Sequence, residues 1–363
     1  LLSTEPEFNL YVTPIHIDPE HPAMAIGYPN VYPIYLAKRQ GPYATLGLAE
    51  DTWGLSEDVL EDQHFLQQCS DIDHERETMF FDGLEKVPEG FCVCVFDGTD
   101  RMQHMFWRFR EPEHPANRGG DFNPEFSHVI EDHYRTCDAV VGKAMQYADE
   151  QTLFIVLSDH GMNSFQRGIH LNTWLYNQGL LALQNGLIPG EETGDFFRGV
   201  DWSRTQAYAL GLGGIYLNLK GREEKGIVST DEAESIKTAI IKGLTGLGDP
   251  ERGRVAVRSV SSREQIYSGP YVGEAPDLLV NFAEGYRVSW GTPLGGTPAG
   301  LFEDNIKKWG GDHMIDPMLA PGVLFMNQSF RGESPSLVDL APTILAALGV
   351  PKGSAMEGSS LLV

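Results

Sequence analysis

The chain has 363 residues with 41% apolar content, enough for one large α/β domain or two smaller ones. Its 27 basic and 51 acidic residues leave a net charge of −24 with no offsetting basic stripe, which argues against a nucleic-acid duplex as partner. No apolar run reaches the roughly 18 residues that a membrane span needs, so none is expected here.

The start, Leu1-Leu2-Ser3-Thr4-Glu5, is not a signal peptide and has no initiating Met. The expectation is a fragment or a processed product. Cys69, Cys92, Cys94 and Cys137 follow neither a redox nor a zinc-site spacing and read as free thiols, which lean towards the cytoplasm, though any export signal would lie upstream.

Residues 1 to about 50 are rich in Pro, Gly and Tyr and read as extended segments and turns. Two helical patterns follow over 56–86, through Leu60, Phe65 and Leu66 and then Met79, Phe80 and Leu84. The run Phe91 to Phe96 is apolar on both faces, as expected of a strand inside a parallel sheet. A helix over 124–149 carries one stripe of Phe126, Ile130, Cys137, Val141, Ala144 and Ala148. Leu153 to Leu157 is the next strand, and the strand–helix–strand order suggests a right-handed parallel crossover.

Further strands are expected at 207–210, 214–219, 278–282 and 323–326, and helices at 231–244 and 337–348. Ser336 is the expected cap of the last helix. Leu337, Leu340, Ala341, Ile344, Leu345 and Leu348 are its expected buried face, and Gly349 and Pro351 stop it. The fold class is therefore α/β, with a mostly parallel central sheet flanked by helices. The glycine-rich loop over 291–312 has the composition of a segment that moves over a site.

Chemistry-bearing residues gather where that sheet would end. Asp100 and His104 are four apart after the first strand, so a helical turn points both the same way. Asp159-His160-Gly161 closes the second strand, and His313 sits in Gly310-Gly311-Asp312-His313. Carboxylates and imidazoles beyond the carboxyl ends of parallel strands are a metal-site arrangement. The donor types favour zinc or manganese over calcium.

These residues carry a resemblance. Phe96-Asp97-Gly98-Thr99-Asp100-Arg101-Met102-Gln103-His104, then Leu157-Ser158-Asp159-His160-Gly161-Met162, then Gly311-Asp312-His313 with Pro321-Gly322-Val323-Leu324-Phe325 behind it, resemble the alkaline phosphatase superfamily in its type I phosphodiesterase/nucleotide pyrophosphatase branch. The segment Asp339-Leu340-Ala341-Pro342-Thr343-Ile344-Leu345 looks like that family's closing helix, and the similarity covers about residues 87–363.

The resemblance implies an alkaline phosphatase-like core over 87–363, with 1–86 a cap or accessory segment covering the site. It implies two divalent metal ions, usually zinc, sometimes manganese or iron. Asp100, His104 and His313 would hold the first, and Asp159 and His160 would be two ligands of the second. It also implies an aspartate on a first strand and a Thr or Ser nucleophile at a helix start. No buried run in residues 1–86 ends in an Asp before such a helix; Thr45 and Thr52 are the faint candidates. The core is therefore expected to lack its N-terminal strand and nucleophile, which would lie upstream.

The implied activity is hydrolysis of a phosphodiester or pyrophosphate bond in a small phosphorylated substrate. Phosphonate hydrolase, phosphomonoesterase, sulfatase and phosphoglycerate mutase are alternatives within the superfamily, and a non-catalytic metal-binding fragment is the alternative outside it. No C/S-x-P-x-R signature supports a sulfatase.

Arg167, His170 and Asn172 follow the Asp-His pair and are candidate contacts to a phosphate oxygen or leaving group, against a reading as loop structure with Asn172 as a helix cap. Asp304, Asn305, Lys307 and Lys308 read as solvated charge or substrate contacts. Phe106, Trp107 and Phe109 read as core packing or a stacking platform. Asp97 and Asp312 flank ligands and are expected to orient them, Asp312 also being a possible minor ligand. His16, Asp18 and His21 form a metal-like cluster on paper, set among prolines.

Overall fold

The computed structural model describes residues 3–120, 122–191 and 193–363. In chain order it contains α1 (Val31–Gln40), α2 (Thr52–Ser56), α3 (Asp62–Lys86), α4 (Gly98–Phe106), α5 (Val129–Ala144), β1 (Ile155–Leu157), β2 (Asn163–Ile169), α6 (Leu171–Asn177), β3 (Ala207–Leu210) and β4 (Gly214–Leu217). It continues through α7 (Thr230–Leu244), β5 (Gly248–Asp249), β6 (Arg254–Val255), β7 (Val257–Ser262), α8 (Arg263–Ile266), β8 (Leu278–Phe282), β9 (Gly285–Val288), β10 (Phe302–Asp304), β11 (Gly311–Asp312), β12 (Leu324–Met326) and α9 (Leu340–Ala347). Among the described residues no helix is long and apolar enough to cross a membrane.

The chain forms two units. The first comprises Leu1–Phe106, Pro124–Asp159 and Gly322–Val363, and the second comprises Trp107–Asn123 and His160–Pro321. The first is mainly helical. Its core gathers Leu36, Leu55, Phe65, Ile72, Met102, Met105, Phe106 and Ile130. Tyr35 and Arg39 on α1 both reach the buried Asp82 of α3, which ties the two helices together. The sequence hides α1 because Pro33 interrupts it, but a proline in a first turn removes no helical hydrogen bond.

The first unit's sheet is one antiparallel pair, β1 with β12. In the second unit β3-β4-β8-β7 form an antiparallel sheet, and β2 takes β10 and β11 antiparallel and β9 parallel. The second unit's core is larger; Ile169, Leu175, Leu217, Ile240, Leu278, Phe282 and Val288 are fully buried in it.

The architecture is mixed α/β, but the expected large parallel sheet does not appear among the described strands, where β2–β9 is the one parallel pair. The difference begins at Phe91 to Phe96, which forms no strand and no backbone–backbone hydrogen bond among the described residues. Phe91, Val93 and Val95 are 53%, 70% and 70% exposed. An apolar run has strand propensity, but a strand persists only where a neighbour takes its N–H and C=O groups. The crossover to β1 therefore does not become a parallel ladder.

Several elements match their expected spans. β3 and β8 coincide with them, and α7 starts one residue early at a capping box of Ser229 and Glu232. Ser336 caps the closing segment as expected, with Asp339 answering it, and Gly349 ends the helix at φ +68°. The expected buried face of that helix is wrong. Leu337 and Leu348 are 54% and 45% exposed, while Pro342 and Thr343 are buried. The two helical patterns over 56–86 resolve into the end of α2 and the 25-residue α3. The four cysteines are unpaired, with Cys92 exposed rather than packed.

Candidate functional site

In the first unit, α4 carries Asp100 and His104 one turn apart. Asp100 Oδ1 lies 3.3 Å from His104 Nε2, so the spacing does bring carboxylate and imidazole together. His104 is buried, and the Arg101 guanidinium contacts the other Asp100 oxygen. Arg101 Nε also lies 3.5 Å from the fully buried carboxylate of Glu50. Asp97 is paired with Arg76 at 2.8 Å.

At the start of α4 the Asp73 side chain packs closely on Gly98. A Cβ on Gly98 would meet the Asp73 carboxylate, which would have to shift. Burial pushes the Asp73 carboxyl up to about 6, the nearby Glu50 charge adds to it, and Arg76 opposes. Sequence reasoning missed both Glu50 and Asp73, because neither lies in a pattern that marks a buried acid.

Asp159 ends the first unit's middle segment, just beyond β1. The strand end is pinned there: Ser158 N–H donates to Val323 O at 3.0 Å, and Val323 N–H donates to Ser158 Oγ at 2.9 Å.

In the second unit, the His160 and His313 rings stack with centroids 3.7 Å apart and planes 17° apart. His160 is held by a tight backbone passage. Gly161 N–H donates to Ala320 O at 2.9 Å, and a Cβ on Gly161 would meet Pro321 O at 2.6 Å. His313 follows β11, whose Gly311 and Asp312 pair with Ser164 and Asn163 of β2. By residue type, Asp100, His160 and His313 are all candidate metal ligands.

A family model described as type I phosphodiesterase / nucleotide pyrophosphatase matches residues 19–293. The chain belongs to the type I phosphodiesterase/nucleotide pyrophosphatase family.

Members of that family are typically metal-dependent. The match takes in most of the segment expected as an accessory region and ends ahead of His313. One similar solved structure is human ectonucleotide pyrophosphatase / phosphodiesterase 5, at 16% identity and a TM-score of 0.38, covering 77% of this chain. The chain spans 61% of that structure's length. No curated protein matches the chain.

The other residues singled out in this phosphodiesterase-family chain are held by protein partners. Arg167, on β2, is buried, with Nε 2.6 Å from Asp249, a nitrogen 2.6 Å from Asp304 and a further contact to Glu251. Burial opposes ionisation of Asp304, but Arg252, Arg167 and Arg118 hold its carboxyl down to about 2. His170 places Nδ1 2.7 Å from Ser289 Oγ and Nε2 3.5 Å from Glu303. Asn172 accepts from Ala209 N–H at 2.7 Å and donates to the Ala209 and Gly296 carbonyls. The cap of α6 is His170, not Asn172, which lies inside the helix.

Phe106 packs against Phe65 and Phe126 in the first unit, and Phe109 against Phe122 in the second. Trp107 donates to Glu111 at 3.0 Å. Asn305 is buried, donating to the Phe165 and Trp309 carbonyls, and Lys307 lies over the Trp290 ring. The paper cluster near the start does not gather: His21 pairs with Asp18 in solvent, and His16 Nδ1 accepts from Thr45 N–H.

Thr45 donates to Ile17 O at 2.9 Å. Thr52 opens α2, with Asp51 accepting from Gly54 N–H at 2.8 Å as the cap. Asp51-Thr52 therefore does open a short helix, and no strand precedes it among the described residues, the lack that made Thr52 a faint candidate in the sequence.

Proposed function

We propose that this chain acts in the metal-dependent hydrolysis of a phosphodiester or pyrophosphate bond in a small phosphorylated substrate. The family match over residues 19–293 carries the reading. Two local observations support it: Asp100 beside His104 on α4, and His160 stacked on His313. The donors fit two divalent ions of the zinc, manganese or iron kind, because imidazole is a borderline donor and carboxylate a hard one. Asp100, His104 and His313 are assigned to one ion, and Asp159 and His160 to the other.

When bound, the ions would neutralise phosphoryl charge and make a hydroxyl more acidic. The chain's own residues prepare the ligands. Arg101, backed by Glu50, orients the Asp100 carboxylate. His104 is buried with Nε2 3.3 Å from Asp100 Oδ1, so the two donors are held close together. Gly161 and Ala320 fix the backbone that carries His160. Arg167, His170 and Asn172 are assigned to the scaffold rather than to substrate, because their polar atoms are already taken by protein groups. The nucleophile is a Ser or Thr hydroxyl, and neither Thr45 nor Thr52 is assigned to it.

The test is metal analysis of the purified chain beside hydrolysis of a chromogenic phosphodiester. His313→Ala and His160→Ala should each lower the metal content. Unchanged metal content in both would remove the ligand assignment. Hydrolysis that survives Asp159→Ala with His160→Ala would place the chemistry elsewhere.

A further inference from the structure

We infer that Arg287 is a positioning residue for His313, acting through Asp312; the inference rests on the assignment of His313 as a metal ligand. Arg287 lies on β9 and is 5% exposed. Its guanidinium sits between two aromatic faces, 4.6 Å from the Phe165 centroid and 4.5 Å from the Trp290 centroid. Its Nε is 2.7 Å from Asp312 Oδ2, and a terminal nitrogen donates to Val288 O at 2.9 Å. A planar cation fixed by two rings and a strand carbonyl has little freedom, so the carboxylate it faces is fixed as well.

Asp312 in turn sets the loop on both sides of His313. Its Oδ2 also accepts from Trp309 Nε1 at 3.0 Å, and its Oδ1 accepts from Met314 N–H at 2.9 Å. The second bond closes an Asx turn over His313 itself. β11 and the close packing of Gly310, whose Cβ would meet Arg108 Cβ at 2.9 Å, hold the entry to that turn. The His313 ring is therefore presented to His160 by a chain of fixed groups: aromatic faces, Arg287, Asp312 and the 312–314 turn. Both Asp312 oxygens are engaged by protein donors, so Asp312 anchors the turn that carries His313.

The experiment uses the full chain. Histidine side-chain resonances are recorded without metal, and zinc affinity is measured against a competing chelator. In Arg287→Met, the His160 and His313 resonances should lose the upfield shift that ring stacking imposes. Zinc affinity should fall about tenfold, as is usual when the partner of a ligand-supporting group is removed. Arg287→Lys should restore part of both, since it keeps the charge but not the plane. Asp312→Asn should weaken zinc binding similarly, and the double variant Arg287→Met/Asp312→Asn should be no weaker than the worse single one.

If Arg287→Met does not fold, Trp309→Phe decides, because it removes one donor to the same carboxylate without leaving a charge unpaired. The inference is overturned if the folded variant keeps both histidine resonances and zinc affinity unchanged. His313→Ala separates the two ideas. If it leaves zinc binding intact, the ligand assignment fails, while the metal-free resonances still decide whether Arg287 positions His313.

Discussion

Gly161→Ala isolates the backbone passage that carries His160. The Cβ would meet Pro321 O at 2.6 Å and the Ala320 carbonyl carbon at 3.1 Å, so the 319–322 backbone must retreat by about 0.8 Å to restore an ordinary 3.4 Å contact. Both obstacles are main chain, so no flexible side chain can yield. Overpacking of this kind costs about 1–3 kcal/mol. Gly161 does not adopt a positive φ, so the loss comes from the clash and not from backbone strain.

Because the displaced residue is adjacent to His160, the stack on His313 should open and zinc affinity should fall about tenfold. Urea unfolding and zinc titration measure the two effects. Gly142→Ala is the matched control: it lies in α5 with open space around its Cβ and should stabilise by about 0.5–1 kcal/mol. A Gly161→Ala chain with wild-type stability and wild-type zinc affinity would refute the argument.

Three other outcomes follow from the charges and ligands. Arg167→Met leaves the fully buried Asp249 without its cation and should cost about 3–5 kcal/mol, read by urea unfolding. A raised KM with unchanged stability would instead make Arg167 a substrate contact. Asp73 has a folded-state carboxyl pushed from 3.8 to about 6, so the folded state binds the extra proton and stability falls as pH rises from about 4 to 6. Asp73→Asn should flatten that slope and add on the order of 1–2 kcal/mol at pH 7, allowing for partial solvent screening. A slope unchanged in the variant would assign the effect to another group. A strong chelator should strip metal from the wild-type chain more slowly than from His313→Ala, and equal rates would count against His313.

The candidate ligands were legible because their signals are local. A four-residue spacing becomes one helical turn whatever surrounds it, and Asp100 and His104 do meet. The start of the closing segment was legible for the same reason: Ser336 bonds to its own first turn. β2 was not legible, because its Asn163, Gln166, Arg167 and Gly168 read as a polar loop. Its strand character comes from neighbours on both edges, and Arg167 is buried there only because Asp249 and Asp304 are distant acids brought to it.

Read alone, the sequence carried the family signature, the Asp100–His104 spacing and the span of α7, since these depend on residue type and on contacts a few positions apart. Strand partnership, the stacking of His160 on His313 and the pairing of Arg287 with Asp312 arise only once the chain is folded. Hydrogen-bond partners and ion pairs far apart in sequence leave no periodic trace. Phe91 to Phe96 shows the limit most plainly: its composition favours a strand, and only a neighbouring backbone can make it one.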